Sequence, residues 1–347
     1  MAAALLLAIS ALLGLACSRG KQSPATTAGA STSSTPSVPA PTSTTASSAT
    51  ATPTTATSTT ATTPATVFAV IGDYGMNDEH EAAVANLVAS WQAAYVLTTG
   101  DDYYEPAGGT GTGKYDESTG AYYGAFLKDI TTTGTRCPVG LAPVNAFFPS
   151  RGNEDYDFAT PAPETYLTYF DLPGAGFSNS SGNERYYDFV EGPIHFFVLN
   201  SNDAEPDGTS STSKQAQWLQ AHLAASTSTW NIVYDHHPPY SSGIQHGSDT
   251  SMQWPFAEWG ADVVLSGHVH AYERIERDSV VYFVNGLGGA SRYVFGRPVD
   301  GSRVRYDDDW GAQKVTVTGD ALTFQFWSAG GELVDSCTVP ARRQPRS

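Results

Sequence analysis

The sequence predicts an α/β sandwich with a single functional edge. Unbroken apolar runs recur along the chain, as expected of strands buried on both faces. Helical patterns fall between several of them. Many of the runs close on Asp, Asn or His at the point where a turn must begin. In open α/β sheets ligands gather outside the carboxyl ends of the strands, so those turn residues define the edge to inspect.

The first run, Val67 to Ile71, is rich in β-branched residues and ends at Gly72-Asp73. Residues 78–91 then place Ala82, Ala83, Leu87, Val88 and Trp91 near helical spacing, with Asp78 set to cap and acids in the first turn. Tyr95 to Thr99 is the next strand, again closing in Gly-Asp, and such a strand–helix–strand unit is right-handed by default. The Gly- and Tyr-rich stretch from Tyr103 to Pro143 is longer than ordinary connections, as lids and binding loops are. Val144 to Pro149 is a strand leading to Gly152-Asn153. Residues 186–190 and 194–199 form a hairpin across Glu191-Gly192-Pro193, and Ser213 caps a helix to Ala225. Trp230 to Tyr234 and Asp262 to Leu265 are strands that run into His-containing loops. The tail is β-rich, with runs at 280–284, 313–317, 322–327 and 333–339 and turns at Gly319-Asp320 and Gly330-Gly331.

Ahead of this part, Ala2 to Ala16 is a short run of small apolar residues that reads as an export signal rather than a membrane span. It ends Leu13-Gly14-Leu15-Ala16-Cys17, similar to a bacterial lipoprotein cleavage site, although Gly14 stands where a branched apolar residue is usual. Lipid anchoring through Cys17 on the outer face of a bacterial membrane is the leading expectation. Simple secretion and an uncleaved anchor are the alternatives. Residues 18–66, nearly all Ser, Thr, Ala and Pro beyond Lys21, cannot bury enough apolar surface to fold and read as a tether. The organisation expected is therefore signal 1–17, linker 18–66, one large folded domain 67–340 and a tail 341–347. If Cys17 carries lipid, Cys137 and Cys337 either form a disulfide or remain two separate thiols. The net charge of −17 argues against nucleic acid as a partner. It would also disfavour anionic ligands unless bound cations dominate the local field.

Taken singly, Gly72-Asp73-Tyr74-Gly75, Gly100-Asp101-Asp102-Tyr103-Tyr104 and Arg151-Gly152-Asn153-Glu154-Asp155 are weak signals, because Asp and Asn serve turns in many proteins. His236-His237-Pro238-Pro239-Tyr240 and Gly267-His268-Val269-His270-Ala271-Tyr272-Glu273-Arg274 are stronger. They hold four of the chain's eight histidines, more than core packing explains. Carboxylate, amide and phenolate oxygens with imidazoles suit iron, manganese and zinc, and the lack of thiolates argues against a structural zinc site.

In this order, and after strands throughout, the blocks resemble the calcineurin-like metallophosphoesterases across roughly residues 68–285. The tyrosine of the second block and the Tyr-Glu-Arg tail are similar to the purple acid phosphatases, including the tartrate-resistant type. That resemblance implies a four-layer αββα sandwich and a dinuclear centre. Asp73, Asp101, Tyr104 and His270 would hold one ion, expected to be Fe(III). Asp101 would bridge to a divalent Fe, Zn or Mn held by Asn153, His236 and His268. Tyr103 is the alternative tyrosine, but the Gly-Asp-x-x-Tyr spacing selects Tyr104. The activity implied is acid hydrolysis of small phosphate monoesters by a metal-bound hydroxide. Phosphodiester or nucleotide hydrolysis, or a metal-binding surface protein with weak catalysis, are the competing readings.

One departure stands out: Glu154 occupies the position where the family carries a histidine. Either His246, shortly after the His-x-Pro block, or Glu154 is then the group that handles the substrate proton. His237 is expected to support the site rather than ligate, Asp102 to serve a turn, and Glu273 and Arg274 to form an internal ion pair. His80, His195 and His222 are read as structural.

Overall fold

The computed structural model describes residues 65–128, 130–132, 142–156 and 164–341. The signal segment, Cys17, nearly all of the linker, Cys137 and residues 342–347 lie outside them. No helix among the described residues is long and apolar enough to cross a membrane.

Two mixed sheets form the body. The first has the order β13-β12-β11-β1-β2-β3, built from β1 (Thr66–Ile71), β2 (Val96–Thr98), β3 (Phe147–Pro149), β11 (Gly311–Val317), β12 (Ala321–Ser328) and β13 (Leu333–Pro340). The second runs β10-β8-β9-β7-β6-β5-β4. Its strands are β4 (Tyr187–Glu191), β5 (Ile194–Val198), β6 (Trp230–Tyr234), β7 (Val263–Ser266), β8 (Tyr272–Arg277), β9 (Val280–Asn285) and β10 (Ser302–Tyr306). β1, β2 and β3 are parallel, as are β5, β6, β7 and β9, so their carboxyl ends lie together within each sheet.

Strand periodicity sorts the second sheet's side chains between two cores. Phe196, Val198, Ile232, Tyr234, Val263 and Leu265 join Phe68, Val70, Leu97 and Phe148 of the first sheet in the main core. Phe197, Val233 and Val264 point the other way, onto Ala216, Leu219 and Leu223 of the helix Lys214–Ala225. That helix starts where expected, because Ser213 accepts from Ala216 N. The helix Glu79–Ser90 is capped by Asp78, which accepts from His80 N and Glu81 N, and buries Val84, Ala85 and Val88 in the main core. Helix, sheet, sheet and helix give the layered sandwich that the motifs imply.

Several elements differ from the sequence reading. The described part of the long connection after Tyr103 includes residues 113–126, which wind through successive helical turns that bury Tyr115 and Tyr123. Two strands, β8 and β10, were not marked as strands by the pattern. Glu273 and Arg274 do not pair with each other, because neighbours on a strand face opposite sides. Glu273 accepts from Ser242 N, Ser242 Oγ and Ser302 Oγ, whereas Arg274 pairs with Asp335 and Glu276. Asp102 is a fully buried carboxylate that accepts from Thr98 Oγ1 at 2.5 Å.

Candidate metal centre

Each motif ends up at the carboxyl edge where the two sheets meet. The turns after β1, β2 and β3 deliver Asp73, Asp101 and Asn153, and those after β6 and β7 deliver His236, His268 and His270. Four of the non-glycine residues with positive φ are here: Asp73 at 55°, Asp101 at 54°, His246 at 69° and His268 at 65°. Such conformations cost about 1 kcal/mol or more each and persist where the surroundings over-determine them, as they do at functional sites. The close approach of the loops also needs glycine. A Cβ on Gly152 would run into Asp101 Oδ1.

Asp73, Asp101, Tyr104 and His270 come together as one group. Tyr104 Oη donates to Asp101 Oδ2 at 2.9 Å and lies 3.1 Å from His270 Nε2, which is 3.3 Å from Asp73 Oδ1. Tyr103 instead turns its hydroxyl to Glu105 O. Asn153, His236 and His268 form the second group. His236 Nε2 is 3.0 Å from Asn153 Oδ1 and 3.1 Å from His268 Nδ1. Asp101 joins the two, since its Oδ1 lies 3.3 Å from His236 Nε2 while Oδ2 faces Tyr104. His237 extends the second group, packing on His268 with Nδ1 at 2.8 Å from Ser201 Oγ.

The donor chemistry fits a pair of cations. His236 Nδ1 donates to Thr99 O at 2.8 Å, which leaves Nε2 as a lone pair facing Asn153 Oδ1 and His268 Nδ1. His270 Nδ1 donates to Ser291 O at 2.6 Å, so its Nε2 faces the carboxylates in the same way. Acceptors turned on acceptors in a buried place are relieved by a proton or by a cation between them, and this donor set suits a cation. Burial, followed by the charge of Asp73, pushes the Asp101 carboxyl well above the usual range. Burial and the neighbouring histidines hold His236 far below its ordinary value and His268 down to about 2, so both are neutral. Burial also lowers His270, but its bond to Asp73 outweighs that and the net shift is upward. The Tyr104 phenol is raised by burial, then by Asp101 and Asp73.

The two candidates for proton handling are placed differently. His246 is exposed and stacks on His268, ring centroids 4.1 Å apart. Glu154 donates its backbone N–H to Asp101 Oδ1 at 2.9 Å, and its carboxylate accepts from Asn153 Nδ2 at 2.8 Å. That contact holds the Asn153 amide with Oδ1 turned inward. His80 stacks on Trp310, His195 pairs with Asp188, and His222 lies near Trp218, all remote from the centre's ligands.

Two supports escaped the sequence reading. Asp155 accepts from Gly152 N at 2.8 Å, Asp102 N at 3.2 Å and Tyr115 Oη at 3.2 Å, tying the turn after β3 to the turn after β2. Burial pushes its carboxyl up to about 6 despite those bonds. The segment 286–293 returns across the edge: Gly288 N donates to Gly72 O, Ala290 N to Asp73 O and Tyr293 N to His270 O. A Cβ on Gly288 would strike Gly72 O, and the cluster Gly286-Leu287-Gly288-Gly289 after β9 was the signal that could have found this clamp.

Comparison with known proteins bears on the family and the fold. The sequence model of the calcineurin-like phosphoesterase family matches residues 66–272. Purple acid phosphatase 15 of Arabidopsis thaliana is 27% identical over 256 residues, covering 64% of this chain and 44% of that protein. The Fe(3+)-Zn(2+) purple acid phosphatase 12 of the same plant is 42% identical over 84 residues, 21% of this chain and 18% of its own. Among solved structures, purple acid phosphatase PPD1 from yellow lupin (Lupinus luteus) seeds superposes with a TM-score of 0.60 at 17% identity, over 80% of this chain and 54% of that one. GAP50, the anchor in the inner membrane complex of Plasmodium, gives 0.56 at 16% identity, over 81% and 90%. At those identities the structures speak for the fold alone, and the chain spans less than half the length of purple acid phosphatase 15. With the family's model matched over more than half of its length, this chain belongs to the calcineurin-like phosphoesterases.

Proposed function

We propose that the protein hydrolyses small phosphate monoesters at a dinuclear metal centre, as a purple acid phosphatase-like enzyme. The observation that carries this reading is the convergence of oxygen and nitrogen ligand atoms in two groups with the Asp101 carboxylate between them. Asp73, Asp101, Tyr104 and His270 would hold Fe(III). Asn153, His236 and His268, with Asp101 shared, would hold a divalent Fe, Zn or Mn. When bound, such a pair supplies Lewis acidity toward a phosphoryl oxygen and an activated water as nucleophile.

The chain's own residues do the rest. Thr99 O and Ser291 O fix the tautomers of His236 and His270 through their Nδ1–H groups. Glu154 orients Asn153. His246, exposed beside His268, is placed to give a proton to the departing alkoxide. Net positive charge at the loaded centre accounts for a protein of formal charge −17 attracting a phosphate dianion.

The test is metal analysis of the purified protein together with its pH–rate profile on a monoester and a diester. About two ions per chain and a monoester preference with an acidic optimum are expected. A strong diester preference would turn the assignment to phosphodiesterase, and a metal-loaded but inert protein would turn it to a binding role. On the N-terminal segment we propose export and lipid anchoring through Cys17, which mass spectrometry of the membrane fraction tests.

A further inference from the structure

Tyr293 lies outside every motif that marks the centre, yet it packs directly on one of its histidines. Its ring lies flat on His270, with centroids 4.0 Å and planes 7° apart. Its backbone N–H donates to His270 O at 2.8 Å. Side chains that leave hydrogen-bonded backbone positions and stack in parallel run side by side. The stack on His270 carries the tyrosine hydroxyl into the field of the Asp73, Asp101 and Glu154 carboxylates. On its flank stands His246, 5.6 Å away ring to ring, which itself rests on His268. Tyr293 and His246 thus form an aromatic lip above one histidine of each ligand group.

The ring is accounted for by its stack on His270; the hydroxyl is not. It has no hydrogen-bond partner among the described residues, and the ring is only part-buried. A tyrosine hydroxyl keeps its proton at acid and neutral pH and so acts as a donor. A donor beside a centre otherwise lined by carboxylates and imidazole lone pairs suits an anionic oxygen.

We propose that Tyr293 is a substrate-contacting residue whose hydroxyl donates to an oxygen of the phosphoryl group, beside His246. The proposal rests on the phosphoesterase reading above. The competing role is packing alone, with the ring merely holding His270 upright.

Tyr293→Phe separates the two, because it keeps the stack and removes only the hydroxyl. Metal content should stay at the wild-type level. kcat/KM for a monoester should fall about tenfold, and the Kd of inorganic phosphate, measured by calorimetry on the metal-loaded protein, should rise by a similar factor. Wild-type values for both would overturn the contact, as would a loss of metal in Tyr293→Phe. An inert wild type that still bound phosphate, and bound it more weakly as Tyr293→Phe, would remove the hydrolytic reading while keeping the contact. Failure of the wild type to bind phosphate at all would remove both.

Discussion

Stripping the metal with a chelator should open a gap in melting temperature that widens as pH rises, and the structure says which protons set its slope. Metal ions and protons compete for the same ligand atoms. Asp101 and Tyr104 are pushed up, chiefly by burial, and His270 is raised because Asp73 outweighs burial, so these three tend to hold protons in the metal-free fold. A group raised in this way stabilises the metal-free fold below its unfolded-state value and loses that contribution as pH climbs through the raised value. His236 and His268 are already neutral and release nothing. Each proton displaced by metal adds about 1.4 kcal/mol per pH unit to the gap. For a domain of this size that corresponds to roughly 2–3 °C per pH unit. Between about pH 5 and pH 8 the Tyr104 phenol holds its proton throughout, so the slope never falls below one proton. The assay is scanning calorimetry of loaded and stripped protein across that range, where groups distant from the centre titrate alike and cancel. Tyr104→Phe should lower the slope by about one proton. A gap that is flat or narrows with pH, or a slope unchanged in Tyr104→Phe, would refute the ligand assignment.

Three further outcomes follow from the same geometry. The iron assignment predicts a visible charge-transfer band that Tyr104→Phe abolishes; a colourless, zinc-only wild type excludes Fe(III) but not hydrolysis. For the proton, His246→Ala should cost about 100-fold or more in kcat and shift the pH profile, whereas Glu154→Gln should act through metal affinity. The reverse pattern, measured by pH–rate profiles and metal titration, assigns the proton to Glu154. Asp155→Ala should weaken metal retention by about 10-fold to 100-fold, because Gly152 N and Asp102 N lose the acceptor that locks their turns together. Equilibrium dialysis that finds wild-type retention would show the turns to be rigid without it.

The centre was legible in the sequence because buried parallel strands read as apolar runs and the residues that follow them must lie at one edge. The seven residues expected to hold metal, Tyr104 rather than Tyr103 among them, come together at that edge, whereas Glu273 and Arg274 lie along β8 with other partners. What stayed hidden depends on contacts between distant segments. β10 is an edge strand of five residues in which only Val304 and Tyr306 alternate with Arg303 and Arg305, too short a pattern to stand out, and it exists because it pairs with β8. β8 itself overlaps the Tyr272-Glu273-Arg274 block, whose charges masked its strand character. The helical turns after Tyr103 have no periodic pattern and are held by contacts such as Ser118 Oγ to Asp102 O. Asp155 looked like one more turn acid, and Tyr293 has no motif around it at all.

The pairing of β1 with β11 also governs when this molecule can fold at all. Val67 meets Thr316, so the strand that leads to Asp73 lacks one of its neighbours until the segment around Thr316 has been synthesised. The ribosome delivers β1, β2 and β3 well before β11, β12 and β13. A nascent chain of this topology cannot close its first sheet early, and a chain exported as we propose would reach the translocation machinery still threadable. Loading of the centre would then happen only beyond the membrane, with the metals supplied by that compartment.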